Sequence, residues 1–308
     1  MDTFLENSQI VFFADNNIFQ EEVEEELEKV SLWVIDSEII RPSTNLVIQN
    51  KLNPGIYNVG ISKDYGIYCR KSNSKSDELI VFSNSIVNDL VNEINLFWDK
   101  KELYKQNKLI HKRGILLEGY PGTGKTSIMS ILSDEIIKRQ GVVFILDSPR
   151  NVSLYIDFLR YNFRTIEPNT PIISIIEDLD KYESDDQLLD FFDGKTSINH
   201  HIIISTTNNS KEISDAYLRP SRIDLRIEVD LPDETTRCEY FKSKNVPEDT
   251  LEELVQRSEN FSFADLKELY ITIFLLGYSI DDALNKFIKN GKKKDYRSKS
   301  LGSSKLGV

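Results

Sequence analysis

The segment GYPGTGKT, residues 119–126, places glycines, a lysine and a threonine in the order G-x-x-x-x-G-K-[ST], between the apolar stretch GILLE and the helix-like stretch KTSIMSILSDEIIKRQ. The glycines let successive backbone N–H groups turn toward an anion, and the start of the helix adds its positive end. Lys125 can reach the β- and γ-phosphates, and the Thr126 hydroxyl can ligate Mg²⁺. The segment predicts a nucleoside triphosphate site, whereas a glycine-rich turn that merely links strand to helix is the structural alternative. The expected binding residues are Gly119, Tyr120, Pro121, Gly122, Thr123, Gly124, Lys125, Thr126 and Ser127.

Carboxylates follow a second apolar stretch, IISIIEDLD, at residues 172–180. Glu177, Asp178 and Asp180 would leave the C-terminal end of a buried strand, which is the edge where open α/β sheets bind ligands. One carboxylate can hold a metal ion, usually through water, and another can polarise the attacking water. Glu177 and Asp178 are the expected pair, and acids that only cap a loop are the alternative.

Two further polar features follow a third apolar stretch, HIIISTTNN. Asn208 has an amide suited to orienting a water beside the γ-phosphate. Arg219 and Arg222 stand three residues apart in RPSR, and an arginine supplied by a neighbouring subunit would couple hydrolysis to assembly. Pairing of both arginines with local acids such as Asp215 and Asp224 is an equal alternative from this stretch in isolation.

The elements that must position these residues alternate between strand and helix. Apolar, β-branched stretches without a polar face are typical of strands buried on both sides in a parallel sheet. Residues 86–232 therefore predict an α/β fold, a P-loop NTPase parallel sheet with helices on both faces. Short β-type stretches divided by turns predict a β-rich N-terminal domain over 1–85. Residues 233–290 predict a small helical C-terminal domain, and 291–308 a basic flexible tail.

Composition narrows the class of protein. The 308 residues carry a net charge of −12, which argues against a protein that coats nucleic acid, since bulk phosphate binding needs a positive surface. Two cysteines encode no disulfide framework and predict a cytosol-like compartment, either bacterial or that of a host. No apolar stretch approaches the ~18 residues of a membrane-spanning helix, so no membrane role is expected. The content of Ile, Asn and Lys suggests an AT-rich genome, such as that of a virus or phage.

The three histidines form a smaller feature. His111, His200 and His201 have no cysteine or further histidine nearby in sequence. Residues of this kind usually lie on the surface or in loops, and the spacing predicts no zinc site.

Taken together, the phosphate loop, EDLD, TTNN and LRPSRID resemble the AAA family of ATPases. HKRGILLEGYPGTGKTS, IIEDLD, QLLDFFDG and IIISTTNN followed by AYLRPSRIDL are similar, in the same order, to BCS1-type AAA proteins. The likeness covers residues 105–232 well and the helical region to about residue 290 more loosely. It implies ATP hydrolysis with Mg²⁺ by a homo-oligomeric ring of six or seven subunits.

The resemblance implies roles for individual residues. Lys125 would hold the phosphates, and Thr126 with Glu177 and Asp178 would form the metal side of the site. Glu177 stands where most AAA proteins have the metal-side Asp, and Asp178 where they have the catalytic Glu, an order that BCS1-type proteins share. Asn208 matches the family's sensor position.

The resemblance extends to the arginines and the small helical domain. Arg219 and Arg222 match arginine fingers offered to a neighbouring subunit, although Ser221 stands where the family usually has Gly. FSFADLKEL is similar to the small-domain helix start that borders the adenine, with Phe263 and Ala264 as candidate contacts.

Two departures bear on the function. Mitochondrial BCS1 proteins carry an N-terminal transmembrane helix, which has no counterpart here, so transport across a membrane is not supported. Many AAA unfoldases grip substrate with an aromatic-apolar-Gly loop, whereas DSPRNVSLYIDFLRYNF has no Gly. Its aromatic residues, Tyr155, Tyr161 and Phe163, are expected in a helix core.

The expected function is an oligomeric, chaperone-like AAA ATPase that hydrolyses ATP at subunit interfaces and remodels or moves an unknown protein partner. The alternative is a DNA-associated AAA+ ATPase of clamp-loader or replication type, which the acidic charge disfavours and the basic tail keeps open. A monomeric P-loop kinase or GTPase does not fit, because no N-K-x-D motif follows TTNN and paired arginines have no obvious role in a monomer.

Overall fold

A computed structural model describes the backbone of residues 32–36, 39–43, 50–62, 66–72, 85–146, 148–182, 186–195 and 198–289. The chain divides into two compact units, residues 1–50 and 51–308. In the first unit, strands β1 (Leu32–Asp36) and β2 (Ile39–Ser43) form an antiparallel pair.

The second unit is built on a seven-stranded sheet. Its strands are β3 (Gly55–Ser62), β4 (Gly66–Lys71), β5 (Lys112–Glu118), β6 (Val142–Leu146), β7 (Ile172–Ile176), β8 (His201–Thr207) and β9 (Leu225–Glu228). They lie in the order β4-β3-β6-β7-β8-β5-β9. Every neighbouring pair is parallel except β3 and β4. The α/β class and the parallel sheet are therefore confirmed.

Ten α-helices lie among the described residues. They are α1 (Ser85–Asp99), α2 (Lys101–Gln106), α3 (Lys125–Lys138), α4 (Val152–Asp157), α5 (Arg164–Ile166), α6 (Asp186–Asp193), α7 (Glu234–Ser243), α8 (Glu248–Arg257), α9 (Phe263–Tyr270) and α10 (Ile280–Lys289). Turns of π-helix, Phe158–Phe163 and Ile271–Leu275, extend α4 and α9. In the part of the chain that the structure describes, no helix combines the length and apolar character needed to cross a membrane.

Apolar side chains cover both faces of the sheet. Successive residues of one strand enter different cores, as Ile202 and Ile203 of β8 do. On one face α1 and α3 contribute residues such as Leu90 and Leu132. On the other face α4 and α6 contribute residues such as Tyr155. Burial on both faces is why these strands have no polar face in the sequence.

Helices α7 to α10 form a third apolar cluster of their own, with Phe241, Leu254 and Leu269 fully buried. Polar caps define where two of these helices begin. The Asp233 carboxylate accepts from the backbone N–H of Thr236, and Ser262 forms a reciprocal capping box with Asp265 at the start of α9. A separate helical core agrees with the helical character predicted for 233–290.

Residues 51–85, which the sequence pattern groups with the N-terminal β-rich region, contribute two strands to the main sheet. Strand β3 pairs in parallel with β6, whose residues lie more than 80 positions further along the chain. An alternating pattern identifies a strand but not its partner, so this pairing has no local signal. The predicted boundaries at 85, 232 and 290 remain predictions, and the tail 291–308 lies outside the described residues.

Two of the three predicted aromatic core positions are confirmed. Tyr155 and Phe163 are buried, whereas Tyr161 is 59% exposed. Tyr161 lies on the π-helical turn, which shifts side chains away from the period that an α-helix would give. Its neighbour Arg160 covers the ring at 5.1 Å.

The prediction that the histidines lie on the surface or in loops is wrong for His201, which is in a strand, whereas His111 lies in the loop before β5 but is buried there. His111 is 4% exposed, and His201, the first residue of β8, is 1% exposed. His201 Nε2 lies 2.7 Å from the Ser174 hydroxyl, and His111 Nδ1 lies 3.1 Å from Nδ1 of His200. Imidazoles satisfied by such partners can be buried at little cost.

His200, which is half-buried beside His111, should make the fold sensitive to acid. Burial lowers the pKa of His200 to about 3 from its ordinary 6.5, and the charges of Lys101 and Arg164 act in the same direction. Between these two values the unfolded chain binds the extra proton, so stability is lost as pH falls. We expect His200→Asn to make the free energy of unfolding depend less on pH in this range. Asparagine suits the left-handed backbone at this position. Urea denaturation across this pH range measures the free energy of unfolding. The same pH dependence in the wild type and the variant would contradict the prediction.

Candidate functional site

The phosphate loop connects the end of β5 to the start of α3. Gly122 and Gly124 have φ of +81° and +100°, a left-handed backbone that favours glycine. A Cβ at Gly122 would lie 2.8 Å from the Ser262 hydroxyl and 2.9 Å from Cβ of Ala264. The loop is therefore in contact with the start of α9, and the role of Phe263 and Ala264 as adenine contacts stays a prediction.

The Lys125 side chain is only 8% exposed. Its ammonium donates to the carbonyl oxygens of Gly119 at 2.7 Å and Tyr120 at 2.9 Å, and to Oδ1 of Asn208 at 2.9 Å. Burial lowers the pKa of Lys125, and the nearby charge of Asp178 acts against that shift. The ammonium is held by neutral oxygens and no carboxylate, so an incoming phosphate can replace them with a charge-assisted bond.

Asp178 follows β7 in a left-handed conformation, with φ of 51°. Its carboxylate accepts from the Asn208 amide at 3.2 Å and from the Lys181 ammonium at 2.6 Å. Its backbone N–H donates to the Thr206 hydroxyl of β8 at 3.1 Å. A non-glycine residue in this conformation, supported from several sides, is a feature of functional sites. One amide thus joins Lys125 to Asp178, because Asn208 accepts from the first and donates to the second.

The other two acids of EDLD differ from Asp178. The Asp180 carboxylate accepts from the Thr207 hydroxyl at 2.6 Å and so supports the end of β8. The Glu177 side chain is exposed, and its carboxylate makes no hydrogen bond or ion pair with any other described residue. Its carboxylate is available to a ligand.

These residues line a cleft of about 1120 Å³ between the sheet edge and the helices after residue 233. Among the predicted site residues the cleft brings together Pro121, Gly122, Thr123, Gly124, Lys125, Thr126, Ser127, Glu177, Asp178, Asn208, Phe263 and Ala264. Gly119 and Tyr120 take part through the carbonyl groups that hold Lys125. Arg219 and Arg222 do not line the cleft.

One wall of the cleft was missed by sequence reasoning. It is apolar, and its residues are Ile86, Val87, Ile131, Tyr240, Ile271 and Leu275. They come from α1, α3, α7 and the turn after α9, so no single segment carries the pattern. A cleft with both apolar lining residues and a polar phosphate loop suits a ligand that has a flat base and charged groups.

The two arginines have different surroundings. Arg222 donates from Nε and Nη2 to the carboxylate of Asp193 at 2.8 and 2.7 Å, and from Nη1 to the carbonyl oxygen of Ala216 at 2.7 Å. The Arg219 side chain is exposed, and its guanidinium has no hydrogen bond or ion pair with any other described residue; only its backbone carbonyl accepts, from the Arg222 N–H at 3.1 Å. The local acids considered from the sequence, Asp215 and Asp224, are not the acids that pair with Arg222.

The donors around Thr126 suit magnesium. The hydroxyl of Thr126 and the carboxylates of Glu177 and Asp178 line the same cleft, and Mg²⁺ prefers oxygen ligands. Three or more His, Cys, Asp or Glu residues do not converge into a protein-only metal cage anywhere in the described ranges. A nucleotide site needs no such cage, because phosphates and water complete the shell of the ion.

A glycine-rich loop before a helix, a buried lysine above it and carboxylates at the end of a neighbouring parallel strand define a P-loop NTPase. Residues 115–231 match the family described as "ATPase family associated with various cellular activities (AAA)". The segment that carries the phosphate loop, the two acids and Asn208 therefore matches an AAA-family ATPase domain.

Three similar proteins place this domain in context. The ATPase family gene 2 protein of Schizosaccharomyces pombe is 30% identical over 196 residues, 56% of this chain and 24% of that protein. The vesicle-fusing ATPase of Caenorhabditis elegans is 28% identical over 226 residues, 62% of this chain and 27% of that protein. The proteasome-activating nucleotidase of Methanococcus maripaludis is 27% identical over 268 residues, 76% of this chain and 63% of that protein. The chain spans less than two thirds of each.

The contact between the phosphate loop and α9 leads to a first test of the site. We expect Gly122→Ala to lose most nucleotide binding, because the new methyl group would meet Ser262 and Ala264. Gly277→Ala is the matched control, since its φ is also positive (+77°) but nothing lies within 4 Å of the added Cβ. Both substitutions carry backbone strain of about 1–3 kcal/mol. Titration with a fluorescent ATP analogue compares them, and equal affinities would contradict the prediction.

Proposed function

We propose that this chain is an ATPase that hydrolyses ATP with Mg²⁺ as a homo-oligomer and remodels a protein partner. The observation that supports hydrolysis best is the hydrogen-bonded chain from Lys125 through Asn208 to Asp178, at the edge of the sheet where the phosphates would lie. The AAA family match supports ATP as the nucleotide.

The roles of the residues follow from their contacts. The Lys125 ammonium exchanges its neutral acceptors for phosphate oxygens, which leaves the Asn208 amide available to orient a water. Asp178 accepts the proton of that water. Glu177, whose carboxylate pairs with no described residue, would hold Mg²⁺ together with Thr126. Mg²⁺, when bound, neutralises charge on the β- and γ-phosphate oxygens.

We further propose that Arg219 completes the site of a neighbouring copy. The guanidinium is exposed, does not line the cleft of its own chain and pairs with no described residue. An arginine that supplies charge to a transferring phosphate from an adjacent subunit needs this freedom. A ring of six or seven subunits and a BCS1-type relationship stay predictions from the resemblance.

A protein partner is supported by the named relatives. Two of them are named for vesicle fusion and for activation of the proteasome. Free Cys69 and Cys238 are compatible with a reducing, cytosol-like compartment, whether bacterial or that of a host. The alternative DNA-associated function rests on the basic tail alone.

The acid at position 178 gives a test of hydrolysis separate from binding. Asp178→Asn keeps the size of the side chain, and asparagine tolerates the left-handed backbone. We expect it to bind ATP normally and to hydrolyse ATP about 10²- to 10⁴-fold more slowly, because the general base is lost. Native mass spectrometry in ATP should show an oligomer. A variant that remains monomeric in saturating ATP would contradict assembly.

Arg219 is tested by mixing subunits. We expect Arg219→Ala to reduce turnover by about 10³-fold, as loss of an arginine finger does. An Asp178→Asn subunit still presents Arg219, so mixing it with Arg219→Ala should restore part of the turnover that neither variant has by itself. Arg139→Ala, which removes a partly exposed guanidinium at the end of α3, is the control and should hydrolyse ATP normally.

Two results would count against this proposal. Unchanged turnover of Arg219→Ala would remove the subunit-interface mechanism. Stimulation of the wild-type ATPase by single-stranded or duplex DNA, lost when residues 291–308 are removed, would favour the DNA-associated alternative.

A further inference from the structure

The ion pair between Arg222 and Asp193 joins the arginine loop to the end of α6. The exposed fractions of the two side chains are 12% and 18%. Both carboxylate oxygens of Asp193 accept from the guanidinium, which uses a third donor on the carbonyl oxygen of Ala216. A bidentate pair of this geometry fixes orientation as well as distance.

Two further contacts hold the same loop. The Lys112 ammonium donates to the carbonyl oxygen of Ser221 at 2.6 Å and to that of Phe192 beside Asp193. The Asp224 carboxylate accepts from the backbone N–H of Gly114 at 2.8 Å, and the backbone N–H of Asp224 donates to the Gly114 carbonyl oxygen at 2.8 Å. The chain after Ser221 is thus tied to β5.

Close approach of two backbones makes this connection rigid. A Cβ at Gly114 would lie 1.9 Å from the carbonyl oxygen of Arg222, so only glycine allows the loop to lie directly on β5. Ser221 has φ of 73°, a left-handed conformation that is retained because both flanks are held. Arg219, two residues before Ser221, is exposed and extends from this clamped base.

We propose that Arg222 is a positioning residue, which is bound to Asp193 of its own chain and holds the loop that presents Arg219 to the neighbouring copy. This inference rests on the proposed subunit-interface mechanism and changes one part of it. The sequence pattern predicts two arginine fingers. The contacts of the loop instead leave Arg219 as the finger and make Arg222 a residue that anchors the loop within its own chain.

The surroundings of the pair explain why Arg222 stays within its chain. To reach a neighbouring site, its guanidinium would have to leave three acceptors. Among the described residues, the partly buried carboxylate of Asp193 would then retain the ion pair with Lys195, at 3.7 Å and mostly exposed, and the more distant charge of Lys112. Removing one partner of a desolvated pair leaves an uncompensated charge, which is the costly outcome. No such cost attaches to movement of Arg219.

The decisive experiment reverses the charges within one chain. Arg222→Asp and Asp193→Arg each place like charges together, and each should lower kcat for ATP by about 10²-fold, the effect of displacing a catalytic group by roughly 1 Å. The double variant restores an opposite pair in the same chain and should recover most of kcat. An arginine that touched the neighbour's phosphate could not be restored in this way.

Milder variants keep the test valid if a reversed charge disturbs folding. Asp193→Asn and Arg222→Ala should lower kcat by similar factors, and the two changes together should cost no more than either one. The KM for ATP should stay unchanged, because neither residue lines the cleft. Lys195→Ala is the matched control, since it removes the weaker partner of Asp193 and leaves the bidentate pair intact.

Mixing separates positioning from a general structural role. An Arg222→Ala subunit has an intact cleft and a displaced Arg219, so mixing it with Asp178→Asn subunits should restore turnover. General destabilisation would damage its own cleft and prevent restoration.

The outcomes distinguish the two proposals. Loss of activity in Arg222→Ala together with normal turnover in Asp193→Asn would contradict the positioning role of Arg222, because Arg222 would then act outside its own chain. Unchanged turnover in Arg219→Ala would overturn the interface mechanism itself.

Discussion

A buried ammonium needs oxygen acceptors, and that of Lys125 has them because β5 and β8 are neighbours in the sheet. Two acceptors come from the phosphate loop after β5, and the third is the Asn208 amide after β8. The same amide reaches Asp178 after β7. Parallel strands end at one edge, so these groups are gathered by topology rather than by a long loop. Without that strand order, the lysine and the acids would be separate features.

The sequence predicts the parts of the site that lie within one segment. The phosphate loop, the pair Glu177 and Asp178, and Asn208 each follow an apolar stretch, and all three meet in the cleft. Ala264 was indicated by the resemblance of FSFADLKEL to the small-domain helix start that borders the adenine, and it lies against the loop. In each case a short stretch of chain holds both the functional residue and the element that positions it.

What the sequence does not predict depends on pairs that are distant along the chain. Asp193 and Arg222 are 29 residues apart and belong to different elements, so no local sequence pattern predicts that they pair. Strand β3 has an evident pattern, but its parallel pairing with β6 has no local signal. The apolar wall of the cleft is assembled from four elements, each of which reads as ordinary core. Tertiary packing decides these features.

Strand β5 has a geometric property with its own consequence. Its first residues hold the base of the Arg219 loop through Lys112 and Gly114, and its last residue precedes the phosphate loop. These points are roughly 20 Å apart along one extended segment, which is stiff because it is bonded to strands on both sides. Because the strand is stiff, a displacement at its phosphate-loop end also displaces the end that holds the Arg219 loop. On the proposed subunit-interface mechanism, a ligand in the phosphate loop would therefore be coupled to the position of the Arg219 loop, which that subunit presents to its neighbour.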